Sequence, residues 1–205
     1  MSGPMVRATL AGVKTQTRRA CRDQSANEYK FVTDMKTIPT GPLYTGWAKD
    51  CGQSFVLPTK CPYGQAGDRL WVREAWCMPA GDRHVIYRAD WSDADIAASK
   101  SMRRYFSGIT RAYPDSHWRP SIHMPRKHCR LLLQVTAVRA ERLQEISERD
   151  ARAEGIDHVS LSDLPRQATW SRRQDFAQLW DSLNLKRGYG WGTKPWVWVI
   201  EFKQC

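Results

Sequence analysis

A chain of 205 residues, 41 % hydrophobic and 26 % charged, can bury a core without disulfides or metal, and this composition excludes a disordered segment. No apolar run approaches the roughly 18 residues of a membrane span, and the opening Met1-Ser2-Gly3-Pro4 stretch lacks the apolar run of a signal peptide, so a cytoplasmic protein without membrane contact is expected. Thirty-two Lys and Arg against 21 Asp and Glu leave a net charge of +11, which attracts polyanions or merely solubilises the surface; ten tryptophans favour the first, because aromatic faces beside cations are what unstacked bases bind.

In chain order, Gly3-Pro4 opens a short helix through about Ala11, with Gly12 as its stop. Lys14 to Arg19 is a β-branched polar stretch that reads as a strand or strand entry. Residues 20–62 are polar, rich in Gly and Pro, and read as a long loop insertion with little regular structure. The Gly64-Gln65-Ala66-Gly67-Asp68 turn feeds a strand over 69–76. Residues 77–128 form a second irregular insertion, holding a short strand at 85–89 and a helix at 93–105. A strand over 130–138 is apolar at most positions, as expected of one buried on both faces.

Helix starts follow at Ser147, with Asp150 completing a variant capping box, and at Ser171, with Gln174. The first helix runs to Glu154 and stops at Gly155. In the second, Phe176, Leu179, Trp180 and Leu183 fall at i, i+3, i+4 and i+7, a core stripe. The loop Gly188-Tyr189-Gly190-Trp191-Gly192 either gates a pocket or makes a turn. Residues 196–203 close the chain as a strand with Trp196, Trp198, Ile200 and Phe202 on one face. Short strands interrupted by helices predict one α+β domain over 1–205, a mixed barrel with flanking helices and the two insertions.

Six cysteines without a CxxC pair read as free thiols. A zinc site from Cys51, Cys61, His123 and His128 is conceivable, but nine residues lie between the cysteines where two to four are usual. No metal or other cofactor is expected. Lys14, Arg18 and Arg19 read as a solvated basic edge for phosphates. Glu74 lies on the face of Val72, and an inward carboxylate there needs Arg73, Arg126 or a bound base as partner. Trp71 and Trp76 either stack a base or pack in the core. His123 is a general acid-base or a hydrogen-bonded loop histidine. Glu154 sits at a helix C-terminus, where a carboxylate opposes the dipole. Its removal would by that logic stabilise the helix slightly.

Four separated segments resemble one family. Leu10-Ala11-Gly12-Val13-Lys14-Thr15-Gln16-Thr17-Arg18-Arg19 resembles the helix-Gly-Lys-Thr-x-Thr-x-Arg entry of ASCH domains, which have a PUA-like barrel fold. Ala66-Gly67-Asp68-Arg69-Leu70-Trp71-Val72 is similar to their Gly-Asp turn and strand, Asp150-Ala151-Arg152-Ala153-Glu154-Gly155 to their acidic helix, and Trp196-Val197-Trp198-Val199-Ile200-Glu201-Phe202-Lys203 to their closing strand. Cys61-Pro62-Tyr63-Gly64 and Pro120 to Arg126 resemble phage-encoded members, which implies action in the cytoplasm of a bacterial host.

The resemblance implies a fold that mostly binds RNA or modified bases, and so a partner that is RNA, DNA or a modified nucleoside. It also implies a hydrolase. In the small bacterial amidohydrolase of this family, which deacylates acetylcytidine, the catalytic lysine, threonine and glutamate correspond to Lys14, Thr17 and Glu154. Amide hydrolysis needs a nucleophile, a proton carrier and an oxyanion donor; Thr17 would supply the hydroxyl, Glu154 the proton carrier and Lys14 the charged donor. The alternative is Lys14 as a deprotonated base, which desolvation favours and a nearby Glu154 opposes. Positions 14 and 17 point to opposite faces of a regular strand, so this site requires Lys14 to lie in the turn after Gly12, or a bulge. A ribonuclease of the same fold and a binding module without chemistry are the alternatives.

Overall fold

The computed structural model describes residues 2–22, 24, 29–32, 46–49, 56–58, 61–78, 85–91, 118–156 and 171–205. The first helix, α1 (Gly3–Leu10), carries Pro4 in its first turn and ends before Gly12, whose φ of +70° reverses the chain. The backbone then doubles back: the Ala8 carbonyl accepts from both Val13 and Lys14 N–H. Lys14 therefore sits in the turn, ahead of β1 (Gln16–Ala20).

The principal sheet is antiparallel, in the order β1-β9-β8-β5, with β5 (Arg69–Trp71), β8 (Leu132–Arg142) and β9 (Trp196–Gln204). It curls into a half-barrel, so the molecule is a mixed helix-and-sheet fold of barrel-like character. Both β8 and β9 are central in the sheet, but only β9 is buried on both faces, over Val197–Ile200. Strand β8 alternates, with Leu132 and Thr136 exposed on one face, so the expectation of a strand buried on both faces does not hold there. In β9, Val197 and Val199 point to one face with Leu143, Phe176 and Trp180, while Trp198 and Ile200 point to the other with Val135 and Ala140. Strand β8 keeps both faces useful through a bulge between Val135 and Ala137. Leu133 and Val135 face the concave core before the bulge, and Val138 and Ala140 after it. One inserted residue shifts the alternation by one.

Two helices cover the convex face: α2 (Glu148–Ala153) and α3 (Arg172–Asn184). Each begins with the expected reciprocal capping box, Ser147 with Asp150 and Ser171 with Gln174. Leu183 is an exception to the α3 stripe. It is exposed, because the helix runs past the core once Trp180 has donated its indole N–H to the Tyr189 carbonyl.

The strand expected over 69–76 is broken. After Trp71 the chain leaves β8, and Trp76–Cys77 (β6) pairs instead with Ile86–Tyr87 (β7). The expected strand at 85–89 shortens to β7 and passes into a 3-10 turn at Arg88–Asp90. Between β1 and β5, the insertion is not irregular throughout: β2 (Tyr29–Val32), β3 (Gly46–Lys49) and β4 (Val56–Pro58) form an antiparallel sheet of their own. The helix expected at 93–105 lies outside the described residues. No helix among those described is long and apolar enough to cross a membrane.

Candidate functional site

Alternation along the first strand divides its polar residues between two faces. Lys14, Gln16 and Arg18 are buried under the helices, while Thr17 and Arg19 face the concave side.

On the helix side, Lys14 and Glu154 meet. The Lys14 Nζ donates to the Glu154 Oε2 at 2.9 Å, to the Glu154 carbonyl at 2.7 Å and to the Gln16 carbonyl at 2.8 Å. Three acceptors occupy all three N–H bonds that only the ammonium form carries. Burial pushes the Lys14 pKa below the ordinary lysine range, with Glu154 opposing, yet this geometry requires the charged form. Gly155 makes the approach possible, because a Cβ there would stand 3.0 Å from the Cβ of both Ala8 and Lys14. The other Glu154 oxygen accepts from Arg18 Nη1 at 3.1 Å.

Arg18 is not on a solvated edge. Its side chain is 0 % exposed and is held by Glu141, Glu154 and Asp150, the last at 3.5 Å. It cannot touch a phosphate without leaving the core. Arg139 extends the cluster by pairing with Glu141, Glu201 and Asp150. Burial tends to raise the Asp150 carboxyl, but the Ser147 hydroxyl, Arg18 and Arg139 outweigh it and hold it below its ordinary 3.8. A depressed carboxyl contributes stability above its unfolded pKa and loses it as pH falls through the folded one. Asp150→Asn is therefore expected to cost about 1 kcal/mol at pH 7, the size of a capping interaction. Below pH 3.8 the gap to the wild-type chain should close. Urea melts at pH 7 and pH 3 would show this; a pH-independent gap would refute it.

The concave face holds a cavity of about 640 Å³, to which neither Lys14 nor Glu154 contributes. Leu70, Leu133, Ile200 and Phe202 form an apolar floor. Thr17 stands in the wall, aligned with Ile200 across the β1–β9 ladder. Tyr63 and Trp71 add aromatic surface, Asp68 a carboxylate, and Arg19, Arg69 and Arg73 a cationic rim. The Arg73 guanidinium lies over the Trp71 ring at 4.6 Å and donates to the Ile122 carbonyl at 3.2 Å. Asp68 is set by the turn it closes, accepting the Gln65 N–H at 2.8 Å.

The remaining candidates are elsewhere. Glu74, 1 % exposed, takes neither Arg73 nor Arg126 as partner but Arg130, which donates to both its oxygens at 3.0 and 2.8 Å. Arg130 also binds Asp90 and lies over Tyr87, so this cluster ties the link after β5 and the 3-10 turn after β7 to the segment entering β8. Trp76 is buried against His128 and Arg119 and offers no face to a base. His123 and Arg126 are exposed on successive 3-10 turns and line none of these cavity walls. Of the conceivable zinc ligands, Cys51 lies outside the described residues, and Cys61 is buried in the core with its thiol pKa pushed up by burial. Among the described residues no three His, Cys, Asp or Glu side chains gather as a metal requires.

Sequence reasoning missed Tyr63, Asp68 and Arg69 as cavity residues, and Glu141 and Asp150 as partners of Arg18. The first group could have been suspected from its place at the turn leading into β5. The second had no local signal. No family model, no curated protein and no solved structure matches the chain.

Proposed function

We propose that the concave cavity binds a nucleobase, plain or modified, presented by a single-stranded nucleic acid or as a free nucleoside, on a PUA-like barrel of the ASCH type. The observation that carries this reading is the pairing of an apolar floor and an aromatic wall with a rim of three arginines. The first two suit the faces of a base, and the third suits its phosphates. A volume of about 640 Å³ is that of a small-ligand site. The net charge of +11 supports a polyanionic partner.

One observation favours a second reading, hydrolysis of an acylated cytosine: the Thr17 hydroxyl stands in the wall of this same cavity. In that reading Asp68, not Glu154, is the carboxylate on the substrate's side. Lys14 and Glu154 act from the opposite face as positioning residues that fix the start of β1. The catalytic grouping implied by the resemblance is thereby revised to Thr17 with the cavity's own residues.

Incubation with cytidine, an acylated cytidine and a short RNA, followed by equilibrium dialysis and mass spectrometry, separates the readings. Binding without a mass change supports recognition alone, loss of the acyl mass supports hydrolysis, and shortened RNA supports strand cleavage. Thr17→Val keeps the shape and strand preference of threonine. It is expected to change stability by less than about 1 kcal/mol. If Thr17 is the nucleophile, turnover should fall on the order of 10³-fold or more, with binding retained. Undiminished turnover would remove Thr17 from the chemistry, and no binding of any nucleoside or oligonucleotide would overturn the proposal.

A further inference from the structure

A second cationic groove lies at the far end of the same sheet. It measures about 560 Å³ and is lined by Arg142, Gln144, Glu145, Arg173, Thr193 and Lys194, three cations against one carboxylate. The two arginines are already held in place. The Arg142 guanidinium lies 4.3 Å from the Trp196 ring centre and donates to the Lys194 carbonyl at 3.0 Å. Arg173 lies 5.4 Å from the Trp191 ring centre and donates to the Gln144 carbonyl at 2.7 Å. A stacked, anchored guanidinium loses little further freedom on meeting an anion. The one carboxylate is engaged, for Glu145 accepts the Arg142 backbone N–H at 3.2 Å.

Lys194 is the third wall. With φ +49° it is the only non-glycine with positive φ among the described residues. A lysine there carries strain that a glycine would not. Its ammonium is exposed and meets no carboxylate or carbonyl acceptor among the described residues. Strained non-glycine residues of this kind gather at ligand sites.

Strand β9 connects the groove to the cavity. Trp196, which supports Arg142, shares a face with Ile200 and Phe202 of the cavity floor. Four to six residues at about 3.3 Å each separate them, roughly 13–20 Å. We propose that this groove binds a backbone phosphate of the same single strand whose base enters the cavity, a proposal that rests on the base-binding reading above.

The test uses the full chain and a fluorescein-labelled eight-nucleotide RNA, with affinity read by anisotropy across a salt series. Lys194→Gly should raise the melting temperature by relieving the left-handed strain, yet weaken RNA binding and flatten the log–log salt slope by about 0.7. Adding Arg173→Gln should weaken binding further, with the total flattening still about 0.7, the share of the one phosphate the groove holds. Nucleoside affinity should stay unchanged in both. An unaltered slope and affinity in the double variant, with binding still lost in Trp71→Ala, would overturn the groove and leave the cavity reading standing. Loss in the groove variants with none in Trp71→Ala would refute the base reading and keep the groove as a phosphate site. Competition by polyglutamate but not by inorganic pyrophosphate would assign the groove to an acidic protein partner and overturn the proposal.

Discussion

Replacing Glu154 by alanine is expected to lower the unfolding free energy by about 3–5 kcal/mol, a large share of the roughly 5–15 kcal/mol that holds a typical domain. The carboxylate is buried between two cations, Lys14 at 2.9 Å and Arg18 at 3.1 Å. Without it, Lys14 keeps only carbonyl acceptors. An ammonium in that position is neither paired nor able to reach water. Helix-dipole reasoning alone expects the reverse, a few tenths of a kcal/mol gained by removing a negative charge from a helix C-terminus. The tertiary term is several times larger and decides the sign.

Lys14→Met should cost less, because Glu154 keeps Arg18 as a partner and the new side chain suits the buried stem. In the double variant Lys14→Met with Glu154→Ala, the losses should not add, since each single change already removes the same pair. Urea denaturation of the three variants measures the coupling. A midpoint for Glu154→Ala indistinguishable from the parent chain would show that the cluster contributes nothing to stability.

The largest effect on binding is expected at Trp71. Trp71→Ala should weaken base binding by about 1–3 kcal/mol, the worth of one aromatic–base stack, or roughly 5–150-fold in affinity. The ring lines the cavity and carries Arg73 on its face, so its loss also frees a cation whose position it sets. Trp71→Phe keeps a ring and should recover most of the affinity. Both variants should fold, because Trp71 is half-buried at the end of β5 and pairs through its backbone with Leu132. Titration with nucleoside and with short RNA is the measurement. Equal affinities for Trp71→Ala and the parent chain would mean that bases do not stack there.

Much of this architecture is legible in the order of the residues. The apolar run that became β9 announced a central strand buried on both faces, whereas β8, read in the same way, is central but leaves Leu132 and Thr136 exposed on one face. Ser147 with Asp150, and Ser171 with Gln174, marked the starts of α2 and α3, because capping satisfies backbone N–H groups within four residues of chain. Gly12 marked the end of α1 for an equally local reason. The small sheet of β2–β4 was not legible. Strands of three or four residues in polar sequence show too few alternations to distinguish them from loop.

The period of two along 16–19 was legible as well, and it places Gln16 and Arg18 on one face and Thr17 and Arg19 on the other, while Lys14 joins the first face from the turn ahead of the strand. Which face of β1 is covered, and by what, could only be decided in three dimensions. Glu141, Asp150 and Glu154 reach Arg18 from more than 120 residues away in sequence, and they turn an apparent phosphate-binding edge into a buried ion cluster. The sequence by itself determined which elements form, because propensity, capping and alternation act within a few residues. The tertiary structure alone decided which charges are buried and which line the cavity. Burying a charge is favourable only with its counter-charges in contact, and those come from segments that only the folded chain brings together.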